Sequence, residues 1–580
     1  EYTVRGWVDH FQTWRADLKK RLEADQDLHV ELVIGARLLE QAAARAERAD
    51  AHDDAERLRT SAEKLRDDEL GEAERSEHAL DEELAALVAR WPDRRFATTH
   101  DPLPLEVERR RARFSSWYEV FPRSTSPDPG RHGTFSDLRE RLPYIAKMGF
   151  DIVYLPPIHP IGRVHRKGKN NARSAEEDDV GSPWAIGAKE GGHKAIHPKL
   201  GTPEDFEAVV ERARKLDMEI ALDIAFQAAP DHPYVDQHPE WFRERPDGTI
   251  QYAENPPKKY EDIYPFDFET DQWPDLWREL ESVVRHWCEM GVRAFRVDNP
   301  HTKPFAFWEW LIPSIKADFP ETIFLSEAFT RPRVMQYLAK IGFSQSYTYF
   351  AWRNTKHELL DYLHELTHTD VVEYMRPNFW PNTPDILTEQ LQTGERATFM
   401  VRLVLAATMT ANYGIYGPAF ELMEHVPVHP GSEEYLDSEK YQLRHWDLDA
   451  EHSLAGFIGH INRIRRENPA LQQNRRTTIH HTNDDQLIAY SKRSADGSNV
   501  ILIVANLDAE QTRADMVELD LNALGVDPER PFQVRDLIDG ELYMWQGRKN
   551  YVELDPDKMP VHVFRVGDAA RTEDDFDPHT

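Results

Sequence analysis

The chain has 580 residues, 40% of them hydrophobic, and its length alone suggests roughly three to four domains. A formal net charge of −32 excludes a nucleic-acid partner, which needs a basic face, and makes any anionic substrate depend on a local basic patch. The one cysteine, Cys288, permits no internal disulfide and fits a reducing cytoplasm, and no apolar run approaches the roughly 18 residues of a membrane span.

No secretory pattern opens the chain, and Glu1 is not a methionine, so residues upstream of it are expected. From residue 7 to about 91 the chain is rich in Ala, Leu, Glu, Asp and Arg, with apolar residues at helical spacing. The pattern predicts a small helical bundle over 1–95, in which the very polar stretch 49–72 should be largely exposed. A Pro-bearing linker, 92–110, leads out of it.

Between 112 and about 470 short β-type runs alternate with amphipathic helical ones. The runs are 116–121, 151–157, 219–226, 292–298, 322–328, 345–350, 377–380 and 412–417. Eight such alternations predict a (β/α)8 barrel over 96–475, with an insertion at about 227–271 after the third strand. Thr202 and Glu204 sit in cap-like positions at the start of one intervening helix. Beyond about 475 helical patterns vanish and short alternating strands predict an antiparallel β-sandwich over 476–570. The last ten residues, 571–580, read as an acidic tail.

Active sites of such barrels lie at the C-terminal strand ends, so acidic residues there matter. Asp223 lies in the third strand, Asp298 ends the fourth, Glu327 ends the fifth, and Asp385 follows the seventh. In the stretch Phe295-Arg296-Val297-Asp298, period-2 alternation puts Arg296 and Asp298 on one strand face. A paired arginine would keep Asp298 ionised, as a nucleophile must be. Glu327 leaves an apolar strand (Ile323, Phe324, Leu325), so burial should raise its pKa toward that of a proton donor. Two carboxyls with those opposite demands are the equipment of glycosidic chemistry. No carboxylate cluster has metal-ligand spacing. Trp184, Trp380 and Tyr416 could stack on sugar rings, although packing is the simpler role for each.

The segments ALDIAFQ, FRVDNPH, LSEAF and FWPNTPD resemble the four motif regions of the α-amylase superfamily, glycoside hydrolase family 13. The resemblance implies a retaining enzyme with Asp298 as nucleophile, Glu327 as general acid/base and Asp385 stabilising the transition state. Hydrolases of the superfamily usually carry Asn-His at the end of the first motif and His before the final Asp; here Gln227-Ala228 and Pro384 stand there. With IHPIGRVHRKGKNN and YAENPPKKYEDI, the departures resemble instead the branch that transfers a maltosyl unit from maltose 1-phosphate to the non-reducing end of an α-1,4-glucan.

That likeness implies phosphate contacts from Asn255, Lys258, Tyr260 and Asn299. It implies sugar contacts from Lys167 (Lys169 being the alternative), Gln227, Asp262, Lys440 and Tyr441, with Arg296 and Asn299 beside them. It also implies no cofactor, a homodimer, and an N-terminal β-domain of which the bundle region carries only a remnant. A hydrolase or isomerising glycosidase of the same fold, and a catalytically dead glucan-binding subunit, are the competing readings.

Overall fold

A computed structural model describes residues 1–103, 105–256 and 258–569, with the side chains of Asn255, Lys258, Asp568 and Ala569 also left aside. The predicted acidic tail therefore lies outside the described residues. Two compact units divide the chain, Glu1–Val107 and Glu108 onward.

The first unit is helical: α1 (His10–Glu23), α2 (His29–Arg48), α3 (His52–Arg66), α4 (Glu72–Ala79) and α5 (Glu82–Ala89). Asp9 and Asp81 cap α1 and α5, each accepting a hydrogen bond from the backbone N–H three residues on. The apolar stripes of the helices meet in one core that includes Leu18, Leu32, Leu39, Leu58, Leu65 and Leu84. Residues 49–72 are largely exposed, as expected, apart from one narrow stripe. In α3, Ala55, Leu58, Ala62 and Leu65 are buried, because four apolar residues at spacings of three and four suffice to make a core face on an otherwise charged helix.

The second unit is built on eight parallel strands: β1 (Ser115–Glu119), β2 (Ile152–Leu155), β3 (Glu219–Ile224), β4 (Ala294–Asp298), β5 (Ile323–Glu327), β6 (Gln345–Ser346), β7 (Asn378–Phe379) and β8 (Asn412–Tyr416). Their order is β6-β5-β4-β3-β2-β1-β8-β7, and a parallel bridge between Ser346 and Pro377 joins the two ends into a barrel. The sixth predicted strand, 345–350, is shorter than expected: Tyr349–Trp352 turns into a 3-10 helix begun by the Thr348 side chain.

Alternation along the strands separates two cores. Trp117, Tyr154, Ala221, Ala294, Ile323, Leu325, Tyr347 and Trp380 fill the barrel. Phe295, Val297 and Phe324 point outward to the helices. Each outer helix begins where its sequence allows. The helix Pro203–Lys215 opens with a capping box between Thr202 and Asp205, its third helical position.

The C-terminal region holds a six-stranded antiparallel sheet and a two-stranded one, Arg513–Glu518 with Lys549–Leu554. In the strand Val500–Asn506, Leu502 and Val504 face the small sheet, while Ile501, Ile503 and Ala505 join the core shared with the barrel helices. One helical turn, Leu521–Leu524, interrupts the expected all-β pattern. Among the described residues no helix is long and apolar enough to cross a membrane.

Candidate active site

Parallel pairing of β4 and β5 sets Asp298 opposite Glu327, both pointing into the barrel mouth at the C-terminal strand ends. Arg296, two residues before Asp298 and therefore on the same face, reaches three carboxylates. Its Nη1 donates to Asp298 Oδ1 at 2.7 Å and to Asp223 Oδ2 at 2.9 Å, and its Nη2 lies 3.3 Å from Glu327 Oε1. Asp298 and Arg296 are more than nine-tenths buried. A single planar fork thus serves a buried group of acids that water cannot neutralise.

The two carboxyls are pushed apart electrically. Burial acts to raise the pKa of Asp298, but the charges of Arg296 and Lys303 and hydrogen bonds from Arg296 and Asn299 outweigh it, leaving Asp298 below the usual carboxylate value. Glu327 is raised to about 7, mainly by burial, with the nearby Asp298 and Asp385 charges acting in the same direction against Arg296. Asp223 is likewise raised, by burial foremost. At neutral pH one acid is held ionised and its neighbour sits at the balance point between proton donor and acceptor.

Asn299 follows the nucleophile candidate in the left-handed conformation, φ 43° and ψ 55°, which Asn tolerates better than most residues. The turn aims its backbone N–H at Glu327 Oε2 (3.2 Å) and its side-chain amide at Asp298 Oδ2 (3.4 Å). Lys303 holds that turn, its Nζ donating to the carbonyl oxygens of Asp298 and Asn299 at 3.3 Å each.

Asp385 sits in a tight loop after β7, where Thr383 and Ile386 exchange backbone hydrogen bonds, and its side chain is about half exposed. Lys440, from the loop after β8, donates to it at 2.5 Å and lies over the rings of Trp184 and Tyr441. Lys167 and Tyr441 are buried, and so is Asp262, whose Oδ1 has no hydrogen-bond partner among the described residues. Burial raises the Asp262 pKa, opposed by the charges of Lys167 and Lys440, so these three groups share one electrostatic neighbourhood. Gln227 is turned to the carbonyl of Trp184 at 3.1 Å.

The expected phosphate group is only partly in view. Tyr260 is half-buried on the hairpin Ala253–Asn255 with Lys258–Tyr260, and none of the described contacts joins it to Asp298 or Glu327. The side chains of Asn255 and Lys258 lie outside the described residues. Trp184, Trp380 and Tyr416 are buried and packed: Trp184 donates to Asp223, Trp380 stacks on Tyr347, and Tyr416 donates to Glu439.

Sequence reasoning missed Lys303, Tyr154 and Glu119. Tyr154 donates its hydroxyl to Asp223, and Glu119 ends β1 fully buried within the field of Arg296, with its pKa well above the ordinary value because of that burial. Inward parity on β1 and β2 was the available signal for two of them, since Trp117 and Glu119, like Ile152 and Tyr154, alternate toward the barrel.

Comparison with known proteins agrees with this geometry. Residues 119–342 match the family described as alpha amylase, catalytic domain. Among solved structures the chain is similar to an alpha-amylase from Lactobacillus plantarum (20% identity, TM-score 0.60, covering 79% of this chain and 100% of that one). It is also similar to a maltogenic alpha-amylase from Thermotoga neapolitana (18%, 0.61, 79% and 100%). At such identities the likeness speaks to fold alone, and that fold is an α-amylase-type barrel.

Residues 1–109 match the family described as alpha-1,4-glucan:maltose-1-phosphate maltosyltransferase, domain N/S, and residues 479–566 match GLGE, C-terminal. The maltosyltransferase of that name from Chlorobaculum tepidum is 54% identical over 576 residues, covering 98% of this chain and 84% of that protein. The one from Methylacidiphilum infernorum is 51% identical over 567 residues, covering 98% and 84%. The chain belongs to the α-1,4-glucan:maltose-1-phosphate maltosyltransferase family of enzymes.

Proposed function

We propose that this enzyme transfers a maltosyl unit from α-maltose 1-phosphate to the non-reducing 4-hydroxyl of an α-1,4-glucan, releasing inorganic phosphate through a β-maltosyl-enzyme. The observation that carries the reading is the Arg296 fork, which ties Asp298 to Glu327 while their pKa values move in opposite directions. Neighbouring strands lie about 4.8 Å apart. Both carboxyls also contact one guanidinium, which keeps them close, and direct attack by one carboxylate needs only about 5–5.5 Å between carboxyls, less than the gap that admits a water.

In the first step an Asp298 oxygen bonds to the anomeric carbon as its bond to the phosphate oxygen breaks. Glu327 gives its proton to that departing oxygen, and hydrogen phosphate leaves. In the second step Glu327, now a carboxylate, takes the proton of the acceptor 4-hydroxyl, whose oxygen attacks the same carbon from the opposite face and expels Asp298. Two inversions retain the α configuration. Asp385 stabilises the oxocarbenium-like transition states with its negative charge. Asn299, with Asn255, Lys258 and Tyr260, receives the phosphate; Lys167, Gln227, Asp262, Lys440 and Tyr441 receive the sugars. A role in α-glucan (glycogen) synthesis, a cytoplasmic setting and a homodimer belong to the same reading.

The competing reading is hydrolysis or isomerisation on the same scaffold. Incubation with maltose 1-phosphate and maltohexaose separates them: phosphate release matched by growth of the acceptor in steps of two glucose units supports transfer. Absence of phosphate, or free maltose as the main product, overturns it.

A further inference from the structure

The residues assigned to the donor sugars come from distant parts of the chain. In the sheet order β1 lies between β2 and β8, so the loops after β2 and β8 flank the end of β1, across the barrel mouth from β4 and β5. The loop after β2 carries Lys167, and the loop after β8 carries Lys440 and Tyr441. A sugar with its anomeric carbon at Asp298 and its later rings against Lys167 and Lys440 runs toward that far side.

There the two loops are fastened to each other. Asn170 Nδ2 donates to Asp437 Oδ1 at 3.0 Å, and the Asp437 backbone N–H donates back to Asn170 Oδ1 at 2.6 Å. Both residues stand in the left-handed region, with φ 51° and 55°, conformations that Asn and Asp accept at modest cost. Each side of the joint is anchored. Arg444 donates to the carbonyl oxygens of Leu436 and Asp437 at 3.3 Å each and pairs with Glu424 at 2.5 Å. On the other loop, Arg166 donates to the carbonyl oxygens of Ile161, Gly162 and Asp179. Lys167 lies three residues before Asn170, and Lys440 three residues after Asp437.

We propose that the Asn170–Asp437 latch is the end wall of the donor pocket and limits the transferred unit to two glucose residues. The proposal rests on the maltosyl-transfer reading above. Asn170 and Asp437 are positioning residues: they fix the separation of Lys167 from Lys440 and close the space a third glucose would need. Loops joined by two hydrogen bonds cannot part to admit a longer donor unless both bonds break.

The test uses the full chain, two donors (maltose 1-phosphate and maltotriose 1-phosphate) and maltohexaose as acceptor, with phosphate release and product length as readouts. Asn170→Gly is the informative variant, because glycine keeps the left-handed backbone while removing both bonds. The unaltered enzyme should prefer the shorter donor by about 100-fold in kcat/KM, the scale of discrimination a pocket wall can give. Asn170→Gly should cut the preference to about 10-fold or less, chiefly through KM, and add three-unit steps to the products. Asp437→Gly, which keeps its main-chain bond to Asn170, should move the ratio part of the way, and Asp437→Asn, which keeps the acceptor oxygen, should leave it unchanged.

An unchanged donor ratio in Asn170→Gly, with normal use of maltose 1-phosphate, overturns the latch as gauge and leaves the transfer reading standing. Equal use of both donors by the unaltered enzyme overturns it as well. No phosphate from maltose 1-phosphate sinks the transfer reading and the gauge together.

Discussion

Asp298 and Glu327 face each other in register on adjacent parallel strands, and one guanidinium, that of Arg296, touches both. The pairing places two carboxyls at the same height in the barrel mouth, and the side-chain hydrogen bonds from Arg296 and Asn299 and the Lys303 charge, which favour Asp298, set the two acids apart. Arg296 also binds Asp223, so three acids depend on one residue.

Substitution Arg296→Lys keeps a positive charge and loses the fork. A single ammonium group cannot donate in the plane to three carboxylates at once. The expected outcome is a fall in kcat of about 10²–10³-fold, the loss typical of one preorganised electrostatic contact, with phosphate release as the measurement. A loss under tenfold would mean that the fork is not needed.

The pH profile follows from the two shifted groups. In the proposed mechanism Glu327 must be protonated to assist the leaving group, so with a pKa of about 7 the kcat/KM should fall as pH rises through neutrality. In the same mechanism Asp298 must be ionised, and its lowered pKa puts the acid limb below the ordinary carboxylate range. Lys303 contributes to that lowering. Lys303→Met should therefore move the acid limb to higher pH, while Lys303→Arg should restore it; a merely structural role would reduce the rate without moving the limb.

Three buried histidines set a second pH dependence, that of stability. His159, His193 and His232 are held neutral, with pKa values lowered by burial to about 3, 4 and 2. Their unfolded forms take up protons below about 6.5. The stability they contribute is thus complete above that value and is lost as pH falls toward the folded values. Tm should decline from pH 6.5 to 4.5, and His193→Gln should make the decline shallower over that interval.

Gly414 on β8 lies under the Trp380 ring, and a Cβ at that position would meet ring atoms at 2.3 Å. Trp380 is itself stacked on Tyr347 and cannot withdraw freely. Gly414→Ala should destabilise the fold by about 1–3 kcal/mol, the usual cost of overpacking, seen as a lower urea midpoint at unchanged slope.

Much of this site is legible in residue order because its logic is local. Period-2 alternation alone puts Arg296 beside Asp298, and the apolar residues before Glu327 foretell its burial. The features that were less legible depend on partners that no period shows. The narrow apolar stripe of α3 is covered by helices elsewhere in its bundle, and β6 stops at Ser346 because the Thr348 side chain caps a 3-10 turn. Lys303 stands in the same short stretch as Asp298, yet its direction depends on the left-handed turn at Asn299. Asn170 and Asp437 are 267 residues apart, and no periodicity links them.

The central claim is a covalent β-maltosyl bond to Asp298, and trapping tests it most directly. Glu327→Ala should still accept the sugar from α-maltosyl fluoride, whose leaving group needs little proton assistance, yet lack the base that activates the acceptor. Mass spectrometry of the intact protein and its peptides should show one added maltosyl unit on the peptide that contains Asp298, absent in Glu327→Ala/Asp298→Ala. A maltosyl unit on any other residue, or none while the fluoride is consumed, would contradict the account.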